Sequence, residues 1–336
     1  MAPTTISRAL LFACWITGTA ACAQQARSTV TDQRLLILSK NDQQLSIVDP
    51  ATLRIVGRVP TGPDPHEVVA SDDGTRAYVS NYGGGTYNTL TVIDLVTQKS
   101  LGTIDLGALR GPHGLHFVGG KVWFTAEVAK AIGSYDPATS KIDLILGTGQ
   151  DGTHMIYAFP DLSRLVTTNV GSGSVTIFEK RAGPRPNWGA TTIPAGARVE
   201  GFDVSPDGKE IWAAAAQDGT IRIIDVASKS AMSLAANVQG ANRLKFTPDG
   251  SLVLVSTLSA SDLRIIRVTD RNEVKRIPVG TGAAGIQIQP DGARAYVACS
   301  PDNYVAVVDL RSMQVVGRID AGKNPDGLAW ASIPRR

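Results

Sequence analysis

One strand-like segment recurs seven times along this chain, and that recurrence constrains the fold more than any other feature. It spans residues 34–40, 76–81, 121–127, 164–170, 210–216, 252–258 and 294–300, with starts 42–46 residues apart. A second β-branched, alternating segment follows each copy, as in 45–50, 90–95 and 305–310, and a third follows that, as in 54–59 and 314–319. A fourth leads into the next unit, beginning at His66, His113, His154, Glu200, Asn242, Ala284 and Asp326. A period in the low forties with four strands per unit predicts an all-β, seven-bladed propeller of four-stranded blades. The 336-residue length alone would suggest about two domains, but each blade needs only to bury its faces against its neighbours. The chain opens on a strand lacking its predecessor and ends on one lacking its successor. Pairing them closes the ring and removes its open edges.

Several fourth strands end in Pro-Asp-Gly: Pro206-Asp207-Gly208, Pro248-Asp249-Gly250 and Pro290-Asp291-Gly292, with Asp72-Asp73-Gly74 a weaker copy. Proline presets φ, aspartate bonds back to the backbone, and glycine takes the positive-φ position of a tight turn. These turns, together with Tyr78-Val79-Ser80-Asn81, Tyr296-Val297-Ala298-Cys299 and Val92-Ile93-Asp94-Leu95, resemble the YVTN-type β-propeller repeat family. The resemblance implies the fold. Its relatives include lactonase-like, streptogramin-lyase-like and non-catalytic binding propellers, so it implies no single activity.

The expected organisation is a signal peptide over 1–23, a polar tether over 24–33 and the propeller over 34–332. Residues 9–16 are apolar but too short to span a bilayer, and Ala21-Cys22-Ala23 offers small residues for cleavage before Gln24. A periplasmic or secreted protein is expected, with lipidation at Cys22 the rival reading. No transmembrane segment is expected in the mature chain, and a monomer is expected. Removal of Cys14 and Cys22 would leave Cys299 alone, so no disulfide framework is expected and Cys299 reads as a packed side chain. The formal charge of +3, with no Lys/Arg run, leaves no footprint for nucleic acid.

All four histidines fall on the fourth segments, which become the innermost strands. His66, His113 and His154 hold one repeat position in successive blades; Glu200, Asn242, Ala284 and Asp326 hold it in the rest. Three imidazoles and a carboxylate should therefore ring the mouth of the channel. His66, His113, His154 and Glu200 are a ligand set for a divalent metal ion, and also groups for proton transfer near neutral pH. The rim residues share the parity of apolar positions such as Val68 and Leu115, so they meet at the axis only if the strand start splays inward. The opposite parity should line the channel: Val69, His116, Tyr157, Asp203, Lys245, Gln287 and Ala329, with Glu67 and Arg243 nearer the mouth.

Two functions fit this ring. The first is a metal-assisted hydrolase or lyase of a small, lactone-like molecule, in which Glu200, His154 and Glu67 act in catalysis. Arg243, Asp326, His116, Tyr157, Asp203 and Lys245 would then hold substrate. The second is a non-catalytic propeller binding a small molecule or a protein on the same top face, with histidines copied for structural reasons. No Cys-x-x-Cys-His, Gly-x-Ser-x-Gly or calcium-loop spacing is present. Residues 82–87 and 181–188 are longer insertions of the kind that carry binding loops.

Overall fold

The computed structural model describes Met1 and residues 31–183 and 187–335. The expected leader, Cys22 and most of the tether lie outside the described residues. Seven four-stranded antiparallel sheets form the blades. Blades 1 to 6 cover residues 65–105, 112–147, 153–194, 199–234, 241–278 and 283–319. Blade 7 combines Pro325–Pro334 with Thr31–Ser39, Gln44–Asp49 and Arg54–Pro60, so the two ends of the chain close the ring as the repeat register requires. Its strands reach slightly past the expected limits: Thr31–Gln33, assigned to the tether, pair with Ser332–Pro334.

The apolar side chains sort into seven clusters, each formed where two neighbouring blades meet. A blade is buried on both faces, and this is why its second strand reads as an apolar run: Ala77, Tyr78 and Val79, or Ala295, Tyr296 and Val297, are all at most 1% exposed. Cys299 joins one of these clusters and is fully buried, and burial pushes its thiol up to about 11, an inert packed side chain. In the turns between first and second strands, Gly208 and Gly250 take φ of 72° and 70°. The preceding aspartates accept the N–H of Lys209 and Ser251, as the Pro-Asp-Gly motif demands.

Every innermost strand carries a β-bulge at the same place. Pro65 faces Asn81 and Val68 faces Val79, so three steps on one strand match two on its neighbour. The same shift falls at 112/115, 153/156, 199/202, 241/244, 283/286 and 325/328. A bulge bends the strand and re-aims the side chains within it. The extra residue breaks the period-two alternation between Val68 and His66. Rim and core positions can then share a nominal parity and still face different ways.

Candidate functional site

The rim residues of all seven blades, His66, His113, His154, Glu200, Asn242, Ala284 and Asp326, line one axial pocket of about 400 Å³. The three imidazoles adjoin along its wall, His113 and His154 stacked and His66 tilted by 55° to His113. His113 lies on His154 with ring centroids 3.8 Å apart, and His66 lies 4.8 Å from His113. Tyr82 sets its ring edge-on to both His66 and His113, at 4.9 Å.

Carboxylates bracket the two ends of the row. His154 has Glu127 Oε1 3.5 Å from Nδ1 and Glu200 Oε2 3.4 Å from Nε2. His66 has Asp64 3.5 Å from Nδ1 and Asp326 3.8 Å from Nε2. Burial disfavours a charge on His154, but Glu127 and Glu200 outweigh it and lift its pKa above the ordinary value. His113 has no carboxylate; burial first, then the charges of His154 and His66, hold it well below the ordinary value, so it stays neutral. Glu200 is itself held down at about 2, because His154, Arg198 and Arg243 overcome its burial. The Tyr82 hydroxyl donates to Glu127, and burial together with that carboxylate pushes the phenol pKa far up. The Nδ1 atom of His113 is buried with no partner, whereas those of His66 and His154, also buried, have only the carboxylates of Asp64 and Glu127 at 3.5 Å.

Backbone hydroxyl clamps fix the central rim residues. Ser80, Thr125 and Thr168 each accept a bulge N–H of their own blade. Each then donates to a rim carbonyl of the next blade, that of His113, His154 and Glu200 respectively, at 2.8–2.9 Å. The residue after the rim is glycine in four blades, where a Cβ would strike the neighbour: at Gly201 it would lie 2.2 Å from the Asn242 carbonyl oxygen. Elsewhere the position holds Met155 and the charged pair Glu67 and Arg243.

Arg243 donates across the axis to Glu67, from blade 5 to blade 1, and its other amino nitrogen reaches Asn242 Oδ1 at 3.2 Å. Arg243 lines both the mouth pocket and a second cavity deeper in the channel. That second cavity is lined by Glu67 and by all seven channel-wall positions expected from parity: Val69, His116, Tyr157, Asp203, Lys245, Gln287 and Ala329. Thus His66, His113, His154, Glu200 and Asp326 share the mouth. Glu67, His116, Tyr157, Asp203 and Lys245 belong to the channel below it.

Among the described residues, no group of three or more His, Cys, Asp or Glu side chains is arranged to hold a metal ion. His113 and His154, stacked face to face, set their nitrogens side by side, whereas a metal needs lone pairs aimed at one point. Reading only the innermost strands left out Lys40, Tyr82 and Glu127. Each stands one residue beyond the second strand, a shared repeat position, and Lys40 binds Asp326 at 2.8 Å. Asp64 and Arg198 likewise precede their rim residues by two. Of the insertions, 82–87 contributes Tyr82 to the pocket. The other extends the outer hairpin of blade 3, where Arg181 pairs with Asn187, away from the mouth; residues 184–186 lie outside the described residues.

The sequence pattern of the YNCE-like β-propellers matches residues 6–333. No curated protein matches the chain. Among solved structures, a functionally unknown protein from Desulfotomaculum acetoxidans superposes with a TM-score of 0.75 at 15% identity, covering 89% of this chain and 99% of that one. Hydrazine synthase of Kuenenia stuttgartiensis gives 0.72 at 19% identity, covering 82% and 92%. A protein of Bacteroides uniformis provisionally described as a 6-phosphogluconolactonase gives 0.73 at 16%, covering 89% and 100%. At these identities the likeness is one of fold.

Proposed function

The chain belongs to the YNCE-like β-propeller family, and from that premise we propose that its function is to hold a small polar molecule in the axial mouth pocket. One observation carries this reading: six of seven equivalent backbone positions deliver hydrogen-bonding side chains to a single concave space, and among them His113 has a buried ring nitrogen with no partner. A buried polar atom without a partner costs stability, and a ligand in the pocket would recover it. Concave pockets with a few converging polar groups are where small molecules bind.

A second reading, the opening of a cyclic ester, is favoured by the bracketing of the histidine row. His66, whose Nε2 lies on the side of Asp326, is placed to take a proton from water. His154, held as an imidazolium, can donate to the carbonyl oxygen as water adds. The ring C–O bond then breaks as the carbonyl re-forms and returns its proton to His154, and the released alkoxide takes the proton from His66. A divalent ion on His66, His113, His154 and Glu200 is the rival occupant.

Thermal-shift screening of polar metabolites and lactones against the full chain tests these readings together. We expect at least one compound to raise the Tm of the wild type and to lose its effect in His113→Phe. Turnover of a lactone that falls in His66→Gln and in His154→Gln would add the hydrolase. A stoichiometric metal that disappears in His113→Ala would replace the organic ligand with the ion. If no compound shifts the wild type and no metal is present, the pocket is structural only.

A further inference from the structure

Below the Glu67–Arg243 bridge, the channel cavity of about 320 Å³ has two unlike sides. Val69, Ala329, Leu328 and Trp330, from blades 1 and 7, make one of them apolar. Opposite stand His116, Tyr157, Asp203 and Lys245, from blades 2 to 5. His116 and Tyr157 stack at 4.8 Å with 22° between their planes.

The hydrogen bonds define what this polar side offers. His116 Nδ1 accepts the N–H of Ala158 at 2.9 Å. A backbone N–H can only donate, so Nδ1 carries the lone pair. Burial first, then the charge of Lys245, keep the ring neutral at about 4, so its proton sits on Nε2. Tyr157 keeps its phenolic proton, since burial and the nearby Asp203 push its pKa up. Asp203 spends Oδ2 on the N–H of Phe246 at 2.9 Å, and its Oδ1 holds Lys245 only at 3.5 Å. A ring nitrogen, a hydroxyl and a loosely paired ammonium are therefore donors on one arc, facing hydrocarbon on the other.

We infer that this chamber is a second ligand site, separate from the mouth, and that it takes a small aromatic carboxylate. The ring lies against Val69, Ala329 and Trp330, while the carboxylate draws Lys245 from Asp203 and accepts from His116 Nε2 and the Tyr157 hydroxyl. Size permits it: an apolar cavity of about 150 Å³ already accommodates benzene. Water alone would leave the apolar arc poorly solvated. The inference stands apart from the mouth reading and survives its failure.

Benzoate is the probe, titrated into the full chain by calorimetry and followed by tryptophan fluorescence. We expect saturable binding with a fluorescence change that vanishes in Trp330→Phe while the calorimetric signal persists. Lys245→Met should weaken binding by about tenfold or more, the loss of a charge-assisted hydrogen bond, and Lys245→Arg should restore most of it. Benzyl alcohol, which keeps the ring and drops the charge, should bind more weakly than benzoate. Lys245 is 42% exposed at its side chain, so its variants should fold, and near-UV circular dichroism checks this. No saturable benzoate binding, unchanged affinity in Lys245→Met, or a fluorescence response indifferent to Trp330→Phe would each overturn the proposal.

Discussion

At the scale of single residues, two adjoining histidines are driven to opposite protonation states. His154 is favoured as the cation between Glu127 and Glu200, and His113, stacked on it, is kept neutral. Because the His154 pKa is raised on folding, its contribution is complete below the ordinary histidine value of 6.5 and fades as pH climbs through the raised one. The Glu200 pKa is lowered, so its contribution is present above 4.5 and is lost as pH falls towards about 2. The pair thus helps most in mildly acidic solution. Replacing His154 with Gln should cost about 3 kcal/mol at pH 5.5 and markedly less at pH 9, read from urea denaturation at both. An equal loss at the two pH values would mean that His154 is neutral in the fold. The ring of rim residues was legible in the sequence because tandem repeats put equivalent positions in view. Lys40, Tyr82 and Glu127 were less so: they follow the end of the second strand, which antiparallel pairing sets beside the start of the innermost one, as Asn81 beside Pro65 and Ala126 beside Pro112.

At the scale of elements, the innermost strand is a bulged strand, and this detail escaped the sequence. Alternation counted from Val68 assigns His66 to the space between blades, since an extra residue leaves no mark on hydropathy. The trace it does leave is glycine after the rim residue, at Gly114, Gly201, Gly285 and Gly327, where neighbouring backbones come too close for a side chain. The hydroxyl clamps reach that bulge from the second strand of the same blade. Blades 4, 6 and 7 carry Ala214, Ala298 and Leu38 at the clamp position, so the fold forms there without it. The consecutive clamps of blades 1 to 3 hold the backbone of His113, His154 and Glu200. Thr125→Val, nearly isosteric, removes a bond at 2.9 Å from Gly114 and one at 2.8 Å to His154, both buried. We expect it to lower stability by about 2 kcal/mol and to abolish ligand-induced thermal shifts at the mouth, with Thr125→Ser retaining both. A Val variant as stable as wild type would show that the clamp is incidental.

At the scale of the whole molecule, ring closure is what converts seven weakly self-sufficient sheets into one cooperative unit. No blade has a core of its own, because each apolar cluster is shared by two blades. The strand Thr31–Ser39 is held between Pro325–Pro334 and Gln44–Asp49, and Leu35, Leu36, Ile37 and Leu38 within it are fully buried. Removing residues 325–336 exposes that strand edge, strips two interfaces of their innermost layer and leaves Lys40 without Asp326. An unpaired apolar edge recruits other chains. The truncated protein should therefore lose its sharp thermal transition and elute as oligomers. Cutting the ring elsewhere should do far less harm, provided that closure is kept. Thr31 sits opposite Pro334 in register, so a short turn joining them would make an ordinary hairpin of blade 7. A permuted chain carrying that turn, with new ends between the exposed Pro248 and Asp249 of the turn, keeps all seven interfaces and shifts the cut to a surface loop. Its Tm should fall by no more than a few degrees. A truncated chain that melts like wild type, or a permuted one that fails to fold, would show that the pairing of the two chain ends does not hold the disc together.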